Sequence, residues 1–277
     1  MPFWTQHPLQ KAAETMKRPG RIRWTMLKED DKIPFTAHLE ELRRRLIICF
    51  IAIGAGFAAA YGFKEKLFAI LTDPLVKVMA PGDKLIYTGV TEAFFTYMKV
   101  SFLVGIMLAF PVIIYQFWMF VAPGLYTKEK RYLLPMVFLS SIFFIGGGLF
   151  GYYFVFPWGF KYLMGFATDI IRPLPSMREY LNFAAITLLA FGAVFELPLV
   201  VVLMARIGLV SVTFLRRHRK YAILIIFVIA AILTPGPDVI SQLMMAIPLM
   251  ILYEISIIGA VIFGKKASGE TSGEPAP

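Results

Sequence analysis

Glu196 is the residue whose placement most demands chemistry. It lies thirteen residues into the apolar run 183–209, near the depth where a bilayer midplane would fall. An acid there is expensive. It marks either a functional, partner-facing group or a protonated carboxyl hydrogen-bonded inside a bundle. Pro198 follows two residues on and leaves the Val194 carbonyl without its helical donor, so the chain should bend there and offer polar backbone. Glu254 lies in the last apolar run, nearer its end, where water can reach it. Two further acids, Glu41 and Glu129, stand outside apolar runs among arginines and lysines. By residue type alone they have ordinary explanations. Glu40 and Glu41 fall at i,i+4 from Arg44 and Arg45, and Glu129 follows Thr127 at a helix start that the macrodipole would favour.

Other chemistry is poorly served. His7, His38 and His218 have no Cys or carboxylate partners at ligand spacing, so no metal is expected. No Gly-x-Ser-x-Gly or His-Glu-x-x-His occurs. Gly259 to Lys266 nearly spells a phosphate-binding loop, but the Ser or Thr that would hold magnesium is missing and the stretch closes an apolar run. Cys49 is the only cysteine, so no intrachain disulfide can form.

The elements that must position these acids are set by lipid. A chain of 277 residues that is 58% hydrophobic carries more apolar surface than one soluble core could hide. Crossing about 30 Å of hydrocarbon takes roughly 20 helical residues, and six runs qualify or nearly do: 46–63, 93–122, 132–157, 183–209, 221–233 and 239–263. The fold class is therefore all-α, a polytopic membrane protein of six transmembrane helices. The fifth run is about 20 Å long and too short to cross unaided. The turn Thr234-Pro235-Gly236-Pro237-Asp238 ties it to the sixth, giving a short hairpin that thins the membrane or a re-entrant pair. Gly147 and Gly151, four apart, should let another helix approach closely.

Charge sets the orientation. The net charge of +10 comes from cations that flank apolar runs, a pattern of topology signals and lipid headgroup attraction and not of a nucleic-acid surface. One side of the six runs holds twenty Lys and Arg, the other seven, with Lys99 inside a run. The positive-inside rule then places both termini in the cytoplasm. The outward loops 64–92 and 158–182, rich in proline, should form ordered caps. Residues 1–33 read as a mobile cytoplasmic extension, 34–264 as the membrane domain, and 265–277 as a flexible cytoplasmic tail. Leu39, Leu42 and Leu46 share one helical face, so the segment before the first run should lie on the membrane surface before turning inward.

Five separated motifs add a resemblance. His38-Leu39-Glu40-Glu41-Leu42-Arg43, Asp73-Pro74-Leu75, Phe120-Val121-Ala122-Pro123-Gly124-Leu125-Tyr126 with Glu129 and Arg131, Phe195-Glu196-Leu197-Pro198, and Leu233-Thr234-Pro235 with Asp238, Ser241, Gln242 and Ala246-Ile247-Pro248 occur in order. The chain so resembles the TatC subunit of the twin-arginine protein translocase. The resemblance implies a concave, glove-like bundle in the bacterial inner membrane, without enzymatic activity or cofactor. It implies recognition of twin-arginine signal peptides by Glu41 and Glu129, with Arg43 beside them, and export of folded cargo driven by the proton-motive force. Glu196, Thr234 and Gln242 would meet the signal helix or single-span TatA/TatB-type subunits, and the complex would hold further copies of this chain. Pro74, Pro123 and Pro198 would be structural. The rival reading is a proton-coupled small-solute transporter using Glu196, but no inverted repeat relates the two halves.

Overall fold

The computed structural model describes residues 35–80, 82–121, 133–166, 168, 173–234 and 238–264. The expected extension 1–33 and tail 265–277 lie outside them. The chain divides into two units, Met1–Glu41 and Leu42–Pro277. Among the described residues all regular structure is helical. The helices are α1 (Phe35–Tyr61), α2 (Lys64–Val76), α3 (Glu92–Val121), α4 (Leu133–Phe150), α5 (Phe156–Met164), α6 (Met177–Phe195), α7 (Leu197–Arg206), α8 (Val212–Arg217), α9 (Arg219–Leu233) and α10 (Val239–Phe263).

Among the described residues, five helical stretches are long and apolar enough to cross a membrane: His38–Tyr61, Glu92–Phe120, Leu134–Met164, Met177–Arg206 and Val239–Phe263. The remaining expected span is α9, whose 15 residues make about 22 Å of helix. Only this span is short. The expectation of a short sixth span is corrected, because α10 runs unbroken for 25 residues and keeps Pro248 inside the helix. Another difference lies at the third span, expected to end at Pro157 but continuing to Met164. Pro157 falls in the first turn of α5, and a π turn over Gly151–Val155 precedes it, with the Phe156 N–H bonding the Gly151 carbonyl five residues back. A proline in a first helical turn forfeits little, and the wider turn accommodates it. The surface segment and first span likewise form one helix, with no break at Arg43, Arg44 and Arg45.

Pro74 shows how proline is used here. Lying inside α2, it cannot donate to the Ile70 carbonyl four residues back. Tyr152 supplies the missing donor, its hydroxyl reaching Ile70 O at 2.6 Å. The buried Tyr180 hydroxyl donates to the next carbonyl, Leu71. Tyr152 thus repairs the defect, and the two aromatic side chains fix α2 against the π turn Gly151–Val155 and α6. Around them Leu71, Leu75, Val100, Phe156, Phe160 and Leu181 form one core cluster.

Small residues set the closest helix contacts, as between any helices that lipid does not drive together. A β-carbon on Gly105 would lie 2.7 Å from the Phe57 nitrogen, so α1 and α3 touch backbone to backbone. Gly147 and Gly151 both face α6, as their spacing predicts, but unequally. At Gly147 a β-carbon would press into the Phe191 carbonyl and come within 2.9 Å of Phe195 Cβ, whereas at Gly151 its neighbours stand 3.4 Å or more away. Gly147→Ala is therefore expected to destabilise the protein by about 1–3 kcal/mol. Gly151→Ala should be neutral or slightly stabilising, since alanine is the better helix former. Thermal unfolding of the two variants in detergent checks the contrast.

Candidate functional site

The bend expected at Glu196 is a break. Met177–Phe195 and Leu197–Arg206 are separate helices, with Glu196 between them and Pro198 in the first turn of the second. The Glu196 N–H turns to the Ala193 carbonyl at 3.2 Å, three residues back, before Val200 resumes the regular pattern on the Glu196 carbonyl at 3.0 Å. Ten residues separate Glu196 from Arg206, about 15 Å of helix, which places the carboxyl near mid-bilayer. The side chain is 8% exposed. Ser140 of α4 is close enough to interact with it, yet among the described residues neither carboxyl oxygen has a partner at hydrogen-bond geometry. Ser140 in turn receives the Trp118 indole N–H at 3.4 Å. A polar track of Trp118, Ser140 and Glu196 thus crosses α3, α4 and the α6–α7 break. Two adjacent serines, 140 and 141, in the third apolar run were the available signal for it in the sequence.

The hairpin groups are engaged within the hairpin. Thr234 ends α9, bonding the Ala230 carbonyl through its N–H at 3.0 Å and through its hydroxyl. Gln242 of α10 donates from Nε2 to the Phe227 carbonyl at 3.0 Å. Asp238 caps α10 by accepting the Ser241 N–H at 2.8 Å. That bond, helped by the Tyr162 hydroxyl at the end of α5, holds the Asp238 carboxyl below the usual carboxylate range against the opposing effect of burial. Glu254 pairs with Arg219 at 2.8 Å, both about half exposed, so the pair contributes under about 1 kcal/mol.

Of the residues expected to meet a peptide, Glu41 and Arg43 lie on α1, the first half-buried and the second exposed. Glu129 and Pro123 lie outside the described residues. Arg45, one turn beyond Glu41, donates to Gln116 Oε1 of α3 at 3.1 Å. Among the described residues no group of His, Cys, Asp and Glu could hold a metal ion.

Residue types and spacing did not reveal the joint between the two capping loops. Glu92 opens α3, and its Oε2 accepts the backbone N–H groups of Thr88 at 2.9 Å and Gly89 at 3.1 Å. Its Oε1 accepts the Arg178 N–H at 3.0 Å and the Ser176 hydroxyl at 3.3 Å. Beside it Met177 N–H bonds the Ile86 carbonyl at 2.8 Å, and Ile86 N–H bonds Pro175 O at 3.2 Å. One carboxylate and a short backbone bridge so join residues 86–92 to residues 175–178.

Known proteins give this geometry a family. Residues 37–248 match the family described as Sec-independent protein translocase protein (TatC). The TatC protein of Desulforapulum autotrophicum is 62% identical over 245 residues, 88% of this chain and 90% of that one. That of Escherichia coli strain K12 is 38% identical over 228 residues, 82% and 88% of the two chains. The crystal structure of a twin arginine translocase receptor, TatC, superposes with a TM-score of 0.74 at 42% identity, covering 81% of this chain and 98% of that one. The same all-helical fold, several apolar spans and a family match over most of the chain agree, and the solute-transporter reading is left without support. The chain belongs to the TatC family, a multi-pass membrane component of the Sec-independent protein translocase.

Proposed function

We propose that this chain is the receptor subunit of a twin-arginine translocase in the bacterial inner membrane, with both termini in the cytoplasm. It binds the paired arginines of signal peptides on folded cargo, gathers single-span TatA/TatB-type subunits and further copies of itself, and works in a complex driven by the proton-motive force. The observation that carries the reading is that the family match over 37–248 includes Glu41, Glu129, Glu196, Thr234 and Gln242 together. A guanidinium is always charged and fork-shaped, and a carboxylate can take it through two parallel hydrogen bonds, which an ammonium cannot reproduce. Two acids at one membrane face are suited to two adjacent arginines. Glu196, deep in its own span, serves a later step, when a helix has entered and a polar partner is needed in lipid. Gln242 and Thr234 lie on the hairpin whose shorter arm suits a partner with a short helix.

The test is a twin-arginine signal peptide carrying a photocrosslinker, presented to the full chain in membrane vesicles. Exchanging both arginines for lysine is expected to cut crosslinking about tenfold or more, since charge is kept and bidentate geometry lost. Equal crosslinking of the two peptides would remove the assignment.

A further inference from the structure

Lys99 lies seven residues inside its span, which begins at Glu92, as Arg45 does inside His38–Tyr61, whereas Lys161, Arg178 and Arg206 sit within the first or last turn of theirs. A cation set that far along a membrane helix, even an exposed one, calls for an anionic or polar partner. Asn182 of α6 takes one of its three ammonium donors, Oδ1 lying 2.8 Å from Nζ. Among the described residues its other two donors make no hydrogen bond, which leaves them for an anion. Lys99 lines an apolar groove of about 550 Å³ between α1, α3 and α6, walled by Phe50, Phe57, Phe102 and Leu189, and is the only charged or polar side chain in that lining.

We infer that this groove holds a phospholipid from the leaflet on the Glu92 side, its phosphate on Lys99 and an acyl chain between α1, α3 and α6. Helical side chains tilt toward the N-terminus of their helix. Lys99 is therefore aimed at the Glu92 end, about 10 Å away along the axis, and its four-carbon stem carries the charge most of that distance to phosphate depth. The walls favour lipid over a protein helix. A helix packs in membranes through small residues on both sides or through hydrogen bonds. Here the walls are mostly large side chains, and apart from the Lys99 ammonium they offer no side-chain donor or acceptor. Gly54 leaves open space, with no atom within 4 Å of where its β-carbon would be. A flexible acyl chain fills such a groove without a matching surface, and the single cation suffices for a single phosphate.

The full-length protein, stripped to lipid-free form in mild detergent, is titrated with palmitoyl-oleoyl phosphatidylglycerol and the bound lipid counted by native mass spectrometry. The unaltered chain is expected to retain one tightly held lipid. Lys99→Gln should weaken it about fivefold, the worth of one cation near a headgroup, and Gly54→Phe, growing into the open space, should displace it. Lys99→Arg and Asn182→Ala should bind as the unaltered chain does, because both keep the cation. Binding unchanged in both Lys99→Gln and Gly54→Phe overturns the inference. So does a photoreactive side chain at Ile53 that captures a protein instead of lipid in cells.

Discussion

Replacing Glu41 and Glu129 together by alanine is expected to abolish crosslinking of the chain to a twin-arginine signal peptide while its insertion into the membrane is unchanged. Each hydrogen-bonded charge pair is worth about 1.5–3 kcal/mol, so either single variant should lose roughly ten- to a hundredfold in affinity. Loss of both should leave only apolar contact with the peptide helix. The glutamines offer a graded control, because an amide oxygen still accepts a hydrogen bond but carries no charge. Glu41→Gln and Glu129→Gln should bind better than the alanine variants and lose the salt sensitivity that exposed charge pairs show. Insertion should survive, because neither acid lies within an apolar run and the arginines that set orientation are kept. Undiminished crosslinking in the double variant would refute the assignment of the arginine site to these carboxylates.

Much of the architecture could be read from apolar run length, because a bilayer imposes one thickness on every span. A bend at Glu196 followed from Pro198, and a close approach of some other helix from the interval between Gly147 and Gly151. What stayed hidden depends on groups far apart in the chain. Nothing in the spacing of Tyr152 or Tyr180 says that their hydroxyls bond carbonyls of the helix around Pro74, because each bond joins residues more than eighty positions apart. The Glu92 clasp spans the same kind of gap, from Glu92 to Arg178, and in the sequence Glu92 is an ordinary acid at a helix start. The third span, expected to end at Pro157, continues to Met164 through a π turn. A π turn cannot be inferred from composition. The site shows the same division. Acid types and depth picked out Glu196, but its neighbours Ser140 and Trp118 belong to other helices, and only the packing of Phe110, Trp118, Val137 and Phe144 into one cluster brings them near.

Glu196 carries the second large effect, and the expected signature is a protein that becomes sturdier as it fails. A carboxyl that is 8% exposed, without a hydrogen-bond partner among the described residues, is a standing cost to the folded chain, because burying an unsatisfied polar group costs about 1–3 kcal/mol. Glu196→Leu removes the group and keeps an apolar side chain at the break, so its thermal midpoint in detergent should rise. A residue kept at such a cost must contribute where the folded chain alone does not show it, when a signal helix or a single-span partner supplies what its oxygens lack. Export of a twin-arginine cargo by vesicles containing Glu196→Leu should therefore fall about tenfold or more, within the usual range for a coupling lost between two sites. Crosslinking of the twin-arginine peptide should persist, since Glu41 and Glu129 are untouched. Glu196→Gln separates polarity from charge. Recovery of export by the glutamine would mean that hydrogen bonding to an entering helix is the requirement, and failure that the ionisable proton is. Ser140→Ala, which withdraws the neighbouring hydroxyl but leaves the carboxyl, should impair export less than either. A leucine variant that exports normally would show that the buried acid serves the bundle and not the cargo, and one that no longer captures the peptide would merge the two proposed steps into one.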